Sequence, residues 1–187
     1  MPSGATNDEL LRAVSKLNAS TQVEAFEAAK FLYQNAESGL ERPLIQILQR
    51  GRRPFNRAAA AFVMQVIRTS RTISALERKV CDVEENARVR GEAAEALAHA
   101  HRRKSHGVLL RNLGDRSKDV RFWCAFALGE MVERRAIPAL TRLANSDRRV
   151  VRGFHSVSQE AADALRNIET NNKARRKKKG CMFCMLQ

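Results

Sequence analysis

Three arginines recur along the chain at nearly constant spacing, and their chemistry is that of an anion-binding surface. Arg78, Arg111 and Arg142 lie 33 and 31 residues apart, and each follows a leucine by two positions. Guanidinium groups that share one face bind carboxylates or phosphates. We call these three residues the arginine stripe and predict that they bind an acidic partner; ordinary solvated charge is the alternative.

A second group of chemically distinctive residues lies near the C-terminus. Residues 184–187 read Cys-Met-Leu-Gln, a C-a-a-X pattern typical of prenylation, and Cys181 could accept a palmitoyl chain. Six basic residues precede this pattern and would attract an anionic membrane: Lys173, Arg175, Arg176, Lys177, Lys178 and Lys179. We predict lipidation at Cys184 and Cys181. A chance match and half of a zinc site are the open alternatives.

No arrangement in the sequence predicts catalysis or a resident cofactor. His99 and His101 lie two residues apart and do not share a helical face, so we expect these residues and His106 to be surface histidines, not metal ligands. No Ser/His/Asp arrangement, phosphate-binding glycine loop or acid pair stands out. We therefore expect a binding protein that is not an enzyme and uses no cofactor or metal.

An internal repeat predicts the elements that carry the arginine stripe. The dipeptide Val-Arg recurs at a step of 31 residues, at Val89-Arg90, Val120-Arg121 and Val151-Arg152. A period in this range is typical of stacked helix pairs, each too small to bury its apolar face alone. The sequence therefore predicts an all-α solenoid of about five helix pairs over residues 1–170, with a disordered basic tail over residues 171–187.

Composition agrees with this architecture and limits the kind of partner. Hydrophobic residues make up 44% of the 187 residues but aromatic residues only 5%, so small aliphatic side chains must build the core. The formal net charge of +14 favours an acidic protein, nucleic acid or an anionic membrane as partner. Neither a signal peptide nor a spanning segment is recognisable, so we expect a cytoplasmic protein, peripheral on the cytoplasmic face of a membrane if the tail is lipidated.

Local signals predict where several helices begin and where the repeat is interrupted. Thr6 with Glu9, and Thr21 with Glu24, have the spacing of capping boxes. The motif Ala-Ala-x-Ala-Leu returns in the fifth unit after 68 residues instead of 62, so six extra residues have entered, with residues 153–158 as the candidate insertion. We expect a broken or kinked helix there, followed by a last helix to about Ile168 that caps the stack.

The repeats resemble a known family of helical repeats. Val120–Gly129 reads VRFWCAFALG and Ala136–Leu140 reads AIPAL, a pattern that resembles the HEAT-like repeat of the phycobilin-lyase type. The resemblance implies an α-solenoid, and it extends to bilin lyases and their non-catalytic relatives, scaffolds, alkylpurine DNA glycosylase-like proteins and deoxyhypusine hydroxylase. The hydroxylase is not predicted, because its paired His-Glu iron ligands are replaced here by Gly91-Glu92, Phe122-Trp123 and Gly153-Phe154.

The resemblance also implies roles for repeated positions. In repeats of this kind, residues such as Arg90, Arg121 and Arg152 tie the loop or helix end of the neighbouring unit. The second helix of each pair, which carries the arginine stripe, lines the concave face of such solenoids.

Two adjacent aromatic residues interrupt the repeat pattern. Phe122 and Trp123 stand where the repeat tolerates polar residues, because Glu92 is the counterpart of Trp123. We predict an exposed aromatic anchor for a partner. The alternative is that the enlarged fifth unit covers the pair through Phe154.

These observations favour one function and leave two alternatives open. The leading hypothesis is a non-enzymatic adaptor or scaffold that binds an acidic or helical protein segment on its concave face and is tethered by its tail. The first alternative is a nucleic-acid-binding repeat protein that uses the same arginines. The second is a bilin-lyase-like enzyme or its non-catalytic relative.

Overall fold

The computed structural model describes the backbone of residues 5–36, 39–100 and 105–184, and the side chains of residues 5–36, 39–99 and 105–171. Within these residues the regular structure consists of ten α-helices and one 3₁₀ turn. The helices are α1 (Asn7–Lys16), α2 (Gln22–Asn35), α3 (Glu41–Arg50), α4 (Pro54–Val63), α5 (Ser70–Cys81), α6 (Ala87–Ala100), α7 (His106–Asn112), α8 (Lys118–Glu130), α9 (Ile137–Ser146) and α10 (Val157–Cys184). The 3₁₀ turn is Arg134–Ala136 and precedes α9.

Side-chain caps place the first two helices where the sequence predicts them. The Thr6 hydroxyl accepts a hydrogen bond from the Glu9 amide at 3.3 Å, and the Glu9 carboxylate accepts one from the Thr6 amide at 2.8 Å. Thr21 caps α2 through its hydroxyl, which accepts a hydrogen bond from the Glu24 amide and donates one to the Glu24 carboxylate. Each cap satisfies amide groups that have no partner inside the helix.

The helices form two layers, as the predicted α-solenoid requires. The first helices of the units (α2, α4, α6, α8 and α10) pack side by side in one layer, and the second helices α3, α5 and α7 follow one another in the other. Each second helix also packs against the first helix of the following unit: α3 on α4, α5 on α6, α7 on α8 and α9 on α10. Helix α1 packs on α2 at the N-terminal end.

Small side chains let the first helices approach closely. Alanines of α4, α6 and α8 are almost fully buried at repeated positions, among them Ala60, Ala93 and Ala125. α8 and α10 approach closely at Gly129, where a Cβ would lie 2.8 Å from both Cα and Cβ of Ala164. This close packing is how a core with few aromatic residues reaches normal density.

The fifth unit differs from the sequence prediction in how it begins. No helix precedes α10 in this unit; an irregular segment follows α9 instead, with Gly153 at a φ of +82° and an isolated β-bridge between Val150 and Ser156. The insertion therefore forms a loop, and the prediction of a broken helix is wrong in that respect. α10 starts at Val157 and buries Ala161 and Ala164 against α8.

The last helix continues beyond the repeats. The backbone of α10 runs to Cys184, through most of the segment 171–187 for which the sequence predicts disorder. Ala, Lys and Arg all have high helix propensity, so this composition allows helix without apolar periodicity. The side chains from residue 172 onward lie outside the described residues, and the flexible tail stays a prediction.

Candidate functional site: an arginine-lined cleft in a tied helical stack

Three arginines with little or no solvent exposure tie successive units together; we call Arg57, Arg90 and Arg121 the arginine ladder. Each lies near the start of a first helix. Arg57 and Arg90 bind a carbonyl oxygen at the C-terminal end of the preceding second helix, and Arg121 binds the Asp115 carbonyl in the loop after α7. Arg57 donates to the Gly51 carbonyl at 2.7 Å and Arg90 to the Val80 carbonyl at 2.9 Å. A cation at a helix C-terminus satisfies carbonyl groups without intrahelical partners and complements the helix dipole.

Each ladder arginine also binds a carboxylate in the loop that leads into the following unit. Arg57 reaches Glu85 with two hydrogen bonds of 2.7 Å. Arg90 pairs with Asp115 at 2.5 Å. Arg121 donates a hydrogen bond of 2.7 Å to the Asp147 carboxylate. One guanidinium group therefore fixes the preceding helix end and the following loop at once. This confirms the implied role of Arg90 and Arg121.

Two carboxylates of the ladder, Glu85 and Asp147, have lowered pKa values and are held in their charged form. Burial alone would raise the pKa of Glu85, but hydrogen bonds from Arg57 and Lys79 outweigh burial and lower its pKa to about 2. Burial likewise opposes ionisation of Asp147, and the hydrogen bonds from Arg149 and Arg121 lower its pKa nonetheless. The attraction of these charged pairs therefore exceeds the cost of removing the carboxylates from water.

Arg152 does not belong to the ladder. It is exposed in the turn before α10, whereas Arg90 and Arg121 are only 1% and 4% exposed. The insertion shifts the register, so the residues that continue the buried series of Val89-Arg90 and Val120-Arg121 are Val157-Ser158. The sequence prediction was wrong in treating Val151-Arg152 as a third equivalent copy, because the constant step of 31 residues ignores the insertion.

The second-helix layer opens into a cleft between α7 and α9. This α7–α9 cleft has a volume of about 720 Å³. Its lining comes from both helices, from the loops that follow them and from the start of α8: Leu110, Arg111, Leu113, Gly114, Asp115, Arg121, Ala139, Arg142, Leu143, Ser146, Asp147 and Arg149. The cleft therefore combines aliphatic walls with several guanidinium groups.

Positive charge in the α7–α9 cleft exceeds what the neighbouring carboxylates neutralise. Among the lining residues, Asp115 and Asp147 are already bound to the ladder, and Asp147 also accepts a hydrogen bond from Arg149 at 2.8 Å. Arg111 and Arg142 are exposed and make no ion pair with a described carboxylate. These two arginines are therefore available to an external anion.

The structure brings together two of the three arginines of the stripe. Arg111 on α7 and Arg142 on α9 line the same cleft. Arg78 is exposed on α5, in the same layer, but does not line the cleft. The use of the stripe for binding stays a prediction.

Phe122 is buried, and the alternative in which the fifth unit covers it is confirmed. Phe122 is 1% exposed and packs with Val151 and Val157, and its ring lies 5.5 Å from that of Phe154. The prediction of an exposed anchor is therefore wrong for Phe122, because its ring fills the space beneath the insertion.

Trp123 is half-buried in the first-helix layer. A Cβ on Gly91 would lie 2.6 Å from Cδ1 of Trp123, so the indole rests directly on the α6 backbone. Phe126 and Phe154 flank the indole at ring distances of 5.6 and 5.1 Å. Trp123 does not line the α7–α9 cleft, so it does not share a site with Arg111 and Arg142.

The histidines do not assemble a metal site in the part of the chain that is described, where no group of three or more His, Cys, Asp or Glu side chains could hold a metal ion. His106 is buried and its Nδ1 contacts the Glu133 carboxylate, so the prediction of a surface histidine is wrong for this residue. Arg135 and His106 hold the pKa of Glu133 down at about 2 against the effect of burial. His101 lies outside the described residues.

The predicted membrane-binding residues cannot be placed by their side chains. Lys173, Arg175, Arg176, Lys177, Lys178, Lys179, Cys181 and Cys184 all fall in the segment whose side chains lie outside the described residues. Among the helices of the described segments, none is both long enough and apolar enough to cross a membrane.

One feature of the cleft and one feature of α6 have no counterpart in the sequence predictions. Arg149 lines the cleft from the irregular loop after α9, where no periodicity marks it. On α6, burial raises the pKa of Glu92 to about 8, and the charge of nearby Glu95 adds to this rise; burial alone raises the pKa of Glu95 to about 7. The adjacent positions of the two glutamates on one helix face could have indicated this effect, but their burial could not be read from the sequence.

Comparison with known proteins identifies the repeat type. A family model described as HEAT repeats matches residues 82–155, which contain α6 to α9 and the cleft between α7 and α9. A search of the curated proteins finds none that matches the chain. The family match does not single out the phycobilin-lyase type. Together with the two-layer stack of helices, it supports an α-solenoid fold in which residues 82–155 are similar to HEAT repeats.

Proposed function

We propose that this protein is a non-enzymatic adaptor that binds an acidic segment of a partner protein in the α7–α9 cleft. HEAT repeats commonly serve as protein-interaction scaffolds, and a stacked array offers an extended surface for this purpose. The single observation that carries the proposal is the position of Arg111 and Arg142, which line one cleft and have no ion-pair partner among the described carboxylates.

The ladder supports a binding role because its ion pairs fix some of the side chains that line the cleft. Arg121 and Asp147 both line the cleft and bind each other, and Asp147 also holds Arg149. Side chains that are already fixed before binding lose less conformational entropy when a partner binds. Within the HEAT-like class, the motifs at 89–97 and 120–129 support a place among the non-catalytic relatives of the phycobilin-lyase type.

Binding of poly-L-glutamate tests the proposal directly. We expect the purified full chain to bind this polymer in a salt-dependent manner, as measured by isothermal titration calorimetry. The double variant Arg111→Glu/Arg142→Glu should weaken binding at least tenfold, because it reverses both available charges of the cleft. Arg78→Glu is the matched control: it reverses an exposed charge of the same stripe outside the cleft and should cost much less. Equal losses in both variants would refute the cleft as the site.

Nucleic acid is the second candidate, favoured by the formal net charge of +14. A titration with duplex DNA in the same buffer separates the two functions. Binding of DNA that is tighter than binding of poly-L-glutamate, with the same dependence on Arg111 and Arg142, would favour the nucleic-acid function. Phosphate contacts would also make that affinity fall steeply with salt.

A further inference from the structure

The α7–α9 cleft has aliphatic walls. Binding of an acidic segment through charge alone would not use these walls. Leu110 and Leu113 line it on the α7 side, and Ala139 and Leu143 on the α9 side. Leu113 is buried, but Leu110 and Leu143 are only half-buried. The two half-buried leucines therefore retain apolar surface that an occupant could cover, with a gain of about 25 cal/mol for each Å² removed from water.

The charged residues of the cleft lie beside these walls, not apart from them. Arg111 follows Leu110 directly in α7, and Arg142 precedes Leu143 directly in α9. Arg149 adds a third guanidinium group, which Asp147 holds in place while 63% of the Arg149 side chain stays exposed. On each wall an available cation is therefore adjacent to an aliphatic side chain.

We infer, resting on the proposed function, that the occupant of the α7–α9 cleft is a short acidic segment of a partner protein with one leucine-sized apolar side chain between its carboxylates. The apolar side chain inserts between Leu110 and Leu143, and the flanking carboxylates bind Arg111 and Arg142. A volume of about 720 Å³ exceeds what one such side chain needs, so the adjoining backbone of the segment also enters the cleft.

Other anions match only part of this surface. A phosphate ion or a nucleic-acid backbone would bind the guanidinium groups but would leave the aliphatic walls in water. A purely aliphatic segment would cover the walls and leave Arg111 and Arg142 without anions. Only a segment of mixed character complements both features, since charge and apolar contact alternate along the walls.

Fluorescence anisotropy with short labelled peptides tests the inference. The reference peptide has one central leucine flanked by glutamates; its controls replace the leucine with serine, or every glutamate with glutamine. We expect the full chain to bind the reference peptide about tenfold more tightly than the serine peptide, since burial of one leucine side chain exceeds that difference. The glutamine peptide should show no measurable binding.

Variants of the protein locate the peptide. Arg111→Glu and Arg142→Glu should each weaken binding of the reference peptide about tenfold. Leu143→Ser should remove the preference for leucine over serine and keep the dependence on glutamate. Arg78→Glu should change neither. Circular dichroism verifies that each variant is folded, and Leu110→Ser provides a second wall variant if Leu143→Ser unfolds.

The outcomes separate this inference from the function on which it rests. If the leucine and serine peptides bind equally, and both depend on Arg111 and Arg142, the inference is wrong and the proposed function stands. If no acidic peptide and no poly-L-glutamate binds, both are wrong. If duplex DNA displaces the reference peptide and binds more tightly through the same arginines, the cleft serves nucleic acid.

Discussion

At the scale of single residues, burial separates the arginines that hold the stack from those that face solvent. Arg90 is only 1% exposed and binds the end of α5, an asparagine and a carboxylate. Arg152 also follows a valine in the sequence, but it lies in an exposed turn. A buried guanidinium group with fixed partners contributes to stability mainly through what its loss would leave unpaired.

Removal of a ladder arginine should be costly. We expect Arg90→Ala to lower the free energy of unfolding by about 3–5 kcal/mol, because it removes the cation that pairs with Asp115 and the donor to the Val80 carbonyl. Arg152→Ala is the matched control and should change the unfolding free energy by less than about 0.5 kcal/mol. Urea denaturation monitored by circular dichroism measures both. Similar values for the two variants would contradict the structural role of the ladder.

Glu92 should make stability depend on pH in a direction opposite to that of the ladder carboxylates. Its pKa is about 8 in the folded protein, against an ordinary value of 4.5, so its contribution is complete below 4.5 and is lost as pH rises towards 8. Glu92→Gln should therefore gain stability relative to the wild type between pH 5 and pH 9. Thermal unfolding of both proteins across this range measures the effect.

The control for this comparison is Glu84→Gln, at an exposed position in the loop before α6. Its unfolding temperature should follow that of the wild type over the same pH range. A constant difference between Glu92→Gln and the wild type at every pH would show that Glu92 does not carry the effect.

At the scale of helices, close approach explains where small residues are required. α8 and α10 touch at Gly129, where even a methyl group would meet the backbone of Ala164 at 2.8 Å. In α7, by contrast, a Cβ on Gly107 would lie 3.7 Å from the flexible end of Arg111, an ordinary contact distance. Both glycines lie in α-helices, but only Gly129 leaves no room for a methyl group.

Alanine substitution should therefore have opposite effects at these two glycines. Gly129→Ala should lower the unfolding free energy by about 1–3 kcal/mol, since α8 and α10 must separate to accept the added methyl group. Gly107→Ala should leave stability unchanged or raise it by up to about 1 kcal/mol, because alanine favours helix. Chemical denaturation gives both values. Destabilisation of equal size by both substitutions would argue against tight α8–α10 packing.

The sequence predicts helices better than it predicts their breaks. Thr6 and Thr21 identify two helix starts because capping depends on residues close in the chain. The start of the fifth unit was misplaced, since Val151-Arg152 keeps the spacing of the repeat while the insertion moves the buried positions to Val157-Ser158. The spacing of a motif gives only the distance along the sequence. The packing of the helices determines which copy of the Val-Arg position is buried in the core.

At the scale of the whole molecule, the links between units rely on ionised carboxylates. The pKa values of Glu85 and Glu133 are about 2 in the folded protein, and that of Asp147 is also lowered. Their contribution is present above the ordinary pKa values, 4.5 for the two glutamates and 3.8 for Asp147, and is lost as pH falls through the lowered pKa values. Acid should therefore act on the contacts between units before it affects the helices themselves.

Acid unfolding should follow this order. Between pH 4.5 and pH 2 we expect the fluorescence of Trp123, which reports packing between α6, α8 and the fifth unit, to change before the helical circular dichroism signal does. Arg121→Met should shift the fluorescence transition to higher pH, because it removes a cation that keeps Asp147 ionised. Superimposable transitions for the two signals would indicate that the units do not separate first.

The candidate site could be only partly predicted, for a related reason. The spacing of Arg111 and Arg142 correctly indicates one layer, because both follow a core leucine on a second helix. The gap between α7 and α9, and the arrival of Arg149 from an irregular loop, depend on how units stack. The same reason explains the error at Phe122, whose neighbours come from the insertion.

Val157-Ser158 has a consequence for any attempt to lengthen this protein. Ser158 occupies the place where earlier units carry a ladder arginine, so this position supplies no guanidinium group to a further unit. Grafting an additional pair of helices after α10 would therefore require arginine at position 158 and an acidic residue in the new connecting segment. The side chain at position 158 thus determines whether the arginine ladder can continue.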